Sequence, residues 1–135
     1  MKIDGGCHCG AIAYEAEVDP DRVGICHCTD CQQLTGTAFR VSVFAAEEDF
    51  RLTRGTPKIY IKTAESGNKR TQAFCADCGS PIYATSVGED GPKSLGIRVG
   101  TARQRAELKP TRQVWHRSAL SWLPELEGLP AKKKE

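Results

Sequence analysis

Seven cysteines among 135 residues are the feature that most restricts what this chain can fold into. They lie in three short groups: Cys7 and Cys9, then Cys26, Cys28 and Cys31, then Cys75 and Cys78. A disulfide framework is typical of an even number of cysteines behind a secretion signal. The count here is odd, and the N-terminal segment MKIDGGCHCG has no apolar stretch. We therefore expect reduced thiols, a cytoplasmic location and a metal held by cysteine.

The reach of each cysteine group predicts two metal sites. Zn²⁺ is borderline soft, and its structural sites take four ligands, at about 2.3 Å where these are thiolates. Cys75-x-x-Cys78 followed by Gly79 is typical of one half of such a site, so it needs a second pair of ligands. The segment 26–31 can supply three sulfurs by itself. We predict two zinc ions per chain: a closed structural site of Cys7, Cys9, Cys75 and Cys78, and an open site of Cys26, Cys28 and Cys31.

The three-cysteine site is the predicted catalytic site, and its three cysteines are the candidate catalytic residues. Three protein ligands with one open position are typical of catalytic zinc. The alternative is that His8, His27 or His116 completes the site and makes it structural. His8 and His27 lie between predicted ligands and are expected to point away from the ion. His27 is a candidate for proton transfer, and His116 is a candidate for a side chain that reaches the site from a distance.

The rest of the chain predicts a strand-rich domain with one short helix. Residues 11–18 alternate apolar and polar side chains, which is typical of a half-buried strand. Further strands are predicted over 38–45, 57–63, 69–75, 81–86 and 94–100, with turns at 65–68 and 88–91. Thr29 and Gln32 fit a capping box and Gly36 fits a helix end. This pattern predicts a helix with Cys31 in its first turn.

Length and charge restrict the domain count and the partners. A chain of 135 residues allows one domain, which we place at 1–123, followed by a loose tail over 124–135. The 19 basic and 17 acidic residues give a net charge of +2 and are interspersed except at the C-terminal lysines. Nucleic acid is therefore not an expected partner. No window approaches the roughly 18 apolar residues of a membrane span, so a membrane is not expected either.

Four stretches of the chain resemble a known family. They are GGCHCGAIAYE at 5–15, CHCTDCQQLTG at 26–36, FCADCGSPIY at 74–83 and, more weakly, PTRQVWHRSALSWL at 110–123. They are similar to the glutathione-dependent formaldehyde-activating enzymes, a family that shares its domain with centromere protein V. The resemblance implies antiparallel sheets around zinc in the β-tent architecture. It also implies a structural four-cysteine site and a catalytic three-cysteine site.

The resemblance implies carbon–sulfur lyase chemistry on a small thiol or aldehyde. The family's named activity joins glutathione and formaldehyde into S-hydroxymethylglutathione. Relatives often carry a basic residue where this chain has Gln-Gln at 32–33, which argues against glutathione itself. Four arginines could replace that charge, although each is individually typical of a solvated strand: Arg40, Arg70, Arg98 and Arg117. The alternatives are a zinc-stabilised binding module without catalysis and a zinc hydrolase of another small electrophile.

Overall fold

The computed structural model describes residues 1–88 and 91–135, and two sheets contain most of the regular structure in these ranges. The strands are β1 (Lys2–Gly6), β2 (Ala13–Glu17), β3 (Val23–Cys26), β4 (Arg40–Ala46), β5 (Phe50–Arg54), β6 (Lys58–Thr63), β7 (Lys69–Phe74), β8 (Pro81–Ser86), β9 (Ser94–Arg98) and β10 (Arg112–Val114). The α-helix α1 (Thr29–Thr35) follows β3, and short 3-10 segments lie at Glu47–Asp49, Val99–Thr101, Arg105–Glu107, His116–Ser118 and Leu123–Gly128. None of the helices in these ranges is long and apolar enough to cross a membrane.

The sheets are almost entirely antiparallel. The smaller sheet has the order β1-β2-β5, and the larger has the order β10-β3-β4-β9-β8-β7-β6. Within the described ranges the one parallel pair is β10 with β3, at the edge of the larger sheet. The mainly-β fold with one short helix that the sequence predicts is confirmed, with this parallel edge strand as an addition.

The core lies between the two sheets. Along β3, β4 and β9 the odd-numbered side chains of Val23, Val43 and Ile97 are completely buried. Tyr14 of β2 joins the same apolar cluster from the smaller sheet and stacks on Phe50 with the ring centroids 5.4 Å apart. Complete burial of a valine or isoleucine side chain stabilises the fold by about 1.5–3 kcal/mol. Because side chains alternate across a strand, the even-numbered residues of these strands project from the opposite face.

That opposite face of the larger sheet, here called the pocket face, combines long and small side chains. One row across the strands contains Arg112, Gly24, Ser42 and Arg98, and the next contains Phe44, Gly96, Ala84 and Gln72. A Cβ on Gly96 would meet the Phe44 ring at 3.3 Å, so the chain approaches closely there. The small residues at the centre leave a concave surface on the sheet.

Most of the predicted strands are found close to their predicted positions. The segments predicted over 38–45, 57–63, 69–75, 81–86 and 94–100 correspond to β4, β6, β7, β8 and β9, and 11–18 contains β2. The strands β1, β3, β5 and β10, which have three to five residues each, were not predicted. The turn at 65–68 is confirmed by the Asn68 carbonyl accepting from Ala64 N–H at 2.8 Å. The turn at 88–91 includes residues 89 and 90, which lie outside the described residues.

The predicted helix is present, but its cap is one residue earlier than the capping box implies. Cys28 is the N-cap residue of α1, and Gly36 ends the helix in the left-handed conformation with φ of 68°. Thr29 is therefore the first helical residue, and Gln32 does not reach back to cap it. The Gln32 side-chain amide instead donates to the carbonyls of His27 at 2.8 Å and Ser118 at 3.0 Å.

Candidate metal centres and the adjoining pocket

The four-cysteine group predicted to bind zinc comes together in the structure. The sulfurs of Cys7, Cys9, Cys75 and Cys78 lie within 4.8 Å of one another. The Sγ atoms of Cys7 and Cys9 are 3.6 Å apart, and those of Cys9 and Cys75 are 3.7 Å apart. A tetrahedral zinc with Zn–S bonds of about 2.3 Å separates its sulfurs by about 3.8 Å, whereas a disulfide requires about 2.0 Å. The donor set fits a zinc ion.

Two turns enclose this four-cysteine site. After β1, the Cys7 N–H donates to the Ile12 carbonyl at 3.1 Å, and the Ile12 N–H donates to the Cys7 sulfur at 3.2 Å. After β7, the Gly79 N–H donates to the Cys75 carbonyl at 2.9 Å, with Gly79 at φ of 80°. Cys7 and Cys75 are both buried. Backbone and core therefore surround two of the four sulfurs.

Ser80 connects the two turns. Its hydroxyl accepts from the His8 N–H at 3.0 Å and lies 3.3 Å from the Cys78 sulfur. Hydrogen bonds from the Ser80 side chain and backbone lower the pKa of the Cys78 thiol to about 5. These hydrogen bonds thus favour the thiolate of Cys78, which is the form that binds metal.

The three-cysteine group is built from one local segment. Cys26 ends β3, Cys28 caps α1 and Cys31 lies in the first turn of α1, with all three sulfurs within 4.8 Å of one another. The Cys28 sulfur accepts from the Cys31 N–H at 3.3 Å, so the helix cap itself positions two ligands. The Cys26 thiol and the Arg40 guanidinium lower the pKa of Cys31 to about 5. Among the described residues, no histidine or carboxylate joins these three ligand atoms.

A pocket of about 330 Å³ opens on the pocket face beside this cluster. Its walls include the three cysteines together with Arg40, Ser42, Phe44, Lys62, Arg70, Gln72, Arg98, Arg112 and Trp115. The four-cysteine group does not line it. The two cysteine clusters therefore differ in surroundings, since all three cysteines of one line this pocket and the other lies between two turns.

Trp115 forms one wall of the pocket from a strained backbone. Its φ of 54° is the one positive value outside glycine in the described residues. A bulky residue in that conformation is a genuine outlier that the surrounding structure must hold in place. Arg117 packs over the indole ring with its Cζ 5.0 Å from the ring centroid. This conformation therefore costs conformational free energy at the residue that directly follows β10 and lines the pocket.

The three histidines are not gathered at either cysteine cluster. His27 is 2% exposed, its Nε2 lies 2.7 Å from Gln113 Oε1, and its ring packs edge-on against Phe39 and His116. His8 is exposed beside the four-cysteine site. Neither His27 nor His116 lines the pocket. His8 and His27 are not among the residues whose ligand atoms gather in either cluster, and the structure does not bring His116 to the pocket.

Three of the four candidate arginines do converge on the pocket. Arg40, Arg70 and Arg98 line it, whereas Arg117 forms an exposed ion pair with Glu65 at 3.1 Å. The sequence prediction underestimated these three side chains because each, taken alone, has the spacing of a solvated strand residue. The available signal was their shared even-numbered parity, but parity places them together only once the strand order is known.

The fold and the two clusters define a class of protein: a mainly-β domain with two cysteine clusters that could hold metal, one between two turns and one lining a pocket. The chain belongs to the glutathione-dependent formaldehyde-activating enzyme family, whose model matches residues 2–118. The β-tent fold class expected from the sequence motifs is thereby confirmed, because the described strands and both cysteine clusters fit that family.

A solved structure gives independent support for the fold. The crystal structure of a Rhodobacter sphaeroides protein matches this chain with a TM-score of 0.62 and 21% sequence identity. The match covers 82% of this chain and 99% of that chain. At this level of identity the similarity concerns the fold alone.

Proposed function

We propose that this protein is a zinc-dependent carbon–sulfur lyase that makes or breaks thiol–aldehyde adducts at Cys26, Cys28 and Cys31. The observation that carries the proposal is the contrast between the clusters: all three cysteines of the three-cysteine group line the pocket of about 330 Å³, and none of the four-cysteine group lines it. Three ligands with an accessible fourth position are typical of catalytic zinc, and four closed thiolates are typical of structural zinc. Membership of the family supports the reaction class.

The proposed reaction is a reversible addition. The sulfur of a thiol forms a bond to the carbonyl carbon, the C=O π bond breaks, and the thiol proton ends on the former carbonyl oxygen. A zinc ion held by three thiolates would supply an open position for the substrate sulfur or for the carbonyl oxygen. The lyase direction is the same step reversed.

The protein's own residues position the reactants. The three cysteines line the pocket together with Phe44, Val114 and Trp115, which provide apolar walls. The lining contains no histidine, aspartate or glutamate among the described residues, so we assign the proton transfer to solvent.

Glutathione is the thiol in the family's name, and we propose little preference for it in this protein. The Gln32 side-chain amide donates hydrogen bonds to the carbonyls of His27 and Ser118. These donors are therefore not available to bind a substrate carboxylate. The seven cysteines are all free, which suits a reducing compartment, and we propose a cytoplasmic location. We propose residues 1–123 as the catalytic domain, because 124–135 are exposed throughout.

The test uses cobalt as a spectroscopic replacement for zinc. A small thiol is expected to change the visible absorption of the Co²⁺-loaded protein, and the loaded zinc protein is expected to speed adduct formation between that thiol and formaldehyde. The Cys28→Ser variant should show neither effect. A cobalt spectrum that does not respond to thiols would favour the non-catalytic binding module instead.

A further inference from the structure

The pocket beside the three-cysteine cluster carries an excess of positive charge. Five basic side chains line it, and no carboxylate does among the described residues: Arg40, Lys62, Arg70, Arg98 and Arg112. Lys62 is neutralised by Asp30, whose carboxylate lies 3.0 Å from its ammonium group. None of the four arginines forms an ion pair with an aspartate or glutamate in the described part of the chain.

Two of these arginines are buried without a full set of partners. Arg40 is 6% exposed and hydrogen-bonds the Cys31 side chain, but its Nε has no hydrogen-bond acceptor. Arg98 donates to two neutral groups, Ser42 Oγ at 2.8 Å and Gln72 Oε1 at 2.7 Å, while its own Nε is buried and unpaired. A buried charge without a counter-charge is costly, and an unmet donor adds to that cost.

The metal cluster does not supply the missing negative charge. Three thiolates with one divalent ion leave a single negative charge, which is fewer than the buried guanidinium groups around it. Burial, reinforced by the nearby Arg40 charge, lowers the pKa of Arg98 to about 9, which still leaves the group cationic at neutral pH. The pocket therefore carries an excess of positive charge, which favours an anionic ligand.

We propose that the substrate of this pocket carries a carboxylate one or two bonds from its reacting sulfur or carbonyl carbon, and that Arg40 and Arg98 bind this carboxylate. The inference rests on the proposed function for the reacting group and adds the substrate class. Both the planar carboxylate and the guanidinium fork favour paired hydrogen bonds.

The register of the sheet places both arginines close to the cysteine cluster. Arg40 is directly opposite Cys26, and Arg98 is directly opposite Ser42, the next residue on that face of β4. The Cβ atoms of directly paired residues lie about 5 Å apart, and the Arg40 side chain hydrogen-bonds Cys31, so an anion bound by Arg40 would lie near the cysteine sulfurs. In glutathione, a peptide bond separates each carboxylate from the cysteine unit that carries the sulfur. A short thiol acid or aldehyde acid matches this spacing, and the volume of about 330 Å³ lies at the small end for ligand pockets.

Two thiols of similar size test the inference. Mercaptoacetate carries the carboxylate and 2-mercaptoethanol does not, and the dissociation constant of each is measured from the visible spectrum of the Co²⁺-loaded protein. Mercaptoacetate is expected to bind about 10- to 100-fold more tightly, which is the scale of a charge-assisted hydrogen bond. Arg98→Gln and Arg40→Gln should each reduce that preference at least several-fold. Arg51→Gln, an exposed arginine on the smaller sheet, is the matched control and should retain it.

The outcomes separate this inference from the proposed function. If neither thiol alters the cobalt spectrum, the proposed function fails and the inference fails with it. Equal affinities with clear spectral changes would overturn the carboxylate site and leave the proposed function standing. A preference that persists in both arginine variants would mean that the carboxylate chelates the metal, which also overturns the inference.

A measurement on the unaltered protein covers the case in which an arginine variant does not fold. Propionate has the carboxylate but no thiol, so it is expected to weaken the binding of mercaptoacetate much more than that of 2-mercaptoethanol. Equal effects on the two thiols, or no effect on mercaptoacetate, would contradict an anion site on the arginines.

Discussion

We expect the substitution of a single cysteine to have different effects in the two clusters, because the surroundings of the clusters differ. Cys75 is 1% exposed and shares its site with Cys9, which is 66 residues away in sequence. Cys28 is partly exposed and belongs to a site formed within one short segment. A metal bound by distant segments contributes its binding free energy directly to folding.

Cys75→Ser is therefore expected to be far more destabilising than Cys28→Ser. Structural zinc sites contribute about 10–16 kcal/mol of binding free energy, as much as the whole stability of a domain, so Cys75→Ser should give insoluble or unfolded protein. Cys28→Ser keeps a side-chain acceptor at the N-cap of α1, and serine is favoured at that position. It should lose the second metal and retain a cooperative thermal transition. Equal unfolding of the two variants would contradict the division into structural and functional sites.

The strained backbone at Trp115 predicts an unusual order of stability among substitutions. Trp115→Gly and Trp115→Ala both remove the indole, but only glycine adopts a φ of 54° without steric cost. We expect Trp115→Gly to be more stable than Trp115→Ala by about 1 kcal/mol, measured by chemical denaturation. The reverse order would show that the positive φ does not persist in solution.

At the scale of elements, β1 depends on a close approach to the segment around Thr101. A Cβ on Gly5 would lie 2.1 Å from the Thr101 carbonyl oxygen and 2.9 Å from the Ala102 Cα. Both contacts involve backbone atoms, which cannot move aside as a side chain does. Gly5 also forms a β-bridge with Ala102, so the clash would separate β1 from the residues after β9.

Gly5→Ala is expected to lower the free energy of unfolding by about 1–3 kcal/mol, the usual cost of overpacking. Gly100→Ala is the control, because a Cβ there meets nothing within 4 Å. It should change stability by no more than about 0.5 kcal/mol. Urea denaturation of the two variants measures both values, and similar stabilities would contradict the close packing of β1.

Two short elements, the strand β10 and the helix α1, lie beside the pocket. The strand β10 has three residues, all exposed, and its identity depends on pairing with β3. Its position nevertheless determines one side of the pocket, because Arg112 and Val114 line the cavity. The helix α1 is likewise short, and its N-terminal turn and cap contain two of the three cysteines.

At the scale of the whole molecule, the two metal sites are expected to differ in how easily they lose their ion. A metal in the four-cysteine site would join the turns after β1 and β7, so we expect its release to separate the fold at that point. A metal in the three-cysteine site would lie beside a pocket, and we expect it to exchange without unfolding.

Metal analysis with a weak chelator measures this difference. Gently purified protein is expected to contain two zinc ions per chain, of which the chelator removes one while the thermal transition persists. Alkylation of the chelated protein should modify Cys26, Cys28 and Cys31 and spare the other four cysteines. One tightly bound zinc, with the three-cysteine group freely alkylated from the start, would contradict the two-site arrangement.

The sequence alone determined the features that depend on local spacing and alternation. Cysteines two or three residues apart lie close enough to share one ion, and the segment 26–31 supplies three of them, which leaves the two remaining pairs to combine. The four-plus-three division of potential ligands was therefore predictable. Six strands and the helix follow from alternation and from the Gly36 stop signal. The very short strands were not predictable, because three to five residues carry too little pattern without their partners.

The concentration of positive charge beside the three-cysteine cluster depends on the tertiary structure. In sequence the basic residues are interspersed with acidic ones, and the net charge is only +2. The strand order and register bring Arg40, Arg70, Arg98 and Arg112 to one sheet face beside the three-cysteine cluster, although they come from four different strands. The physical reason is that parity decides which face a strand residue occupies, whereas pairing between distant strands decides its neighbours.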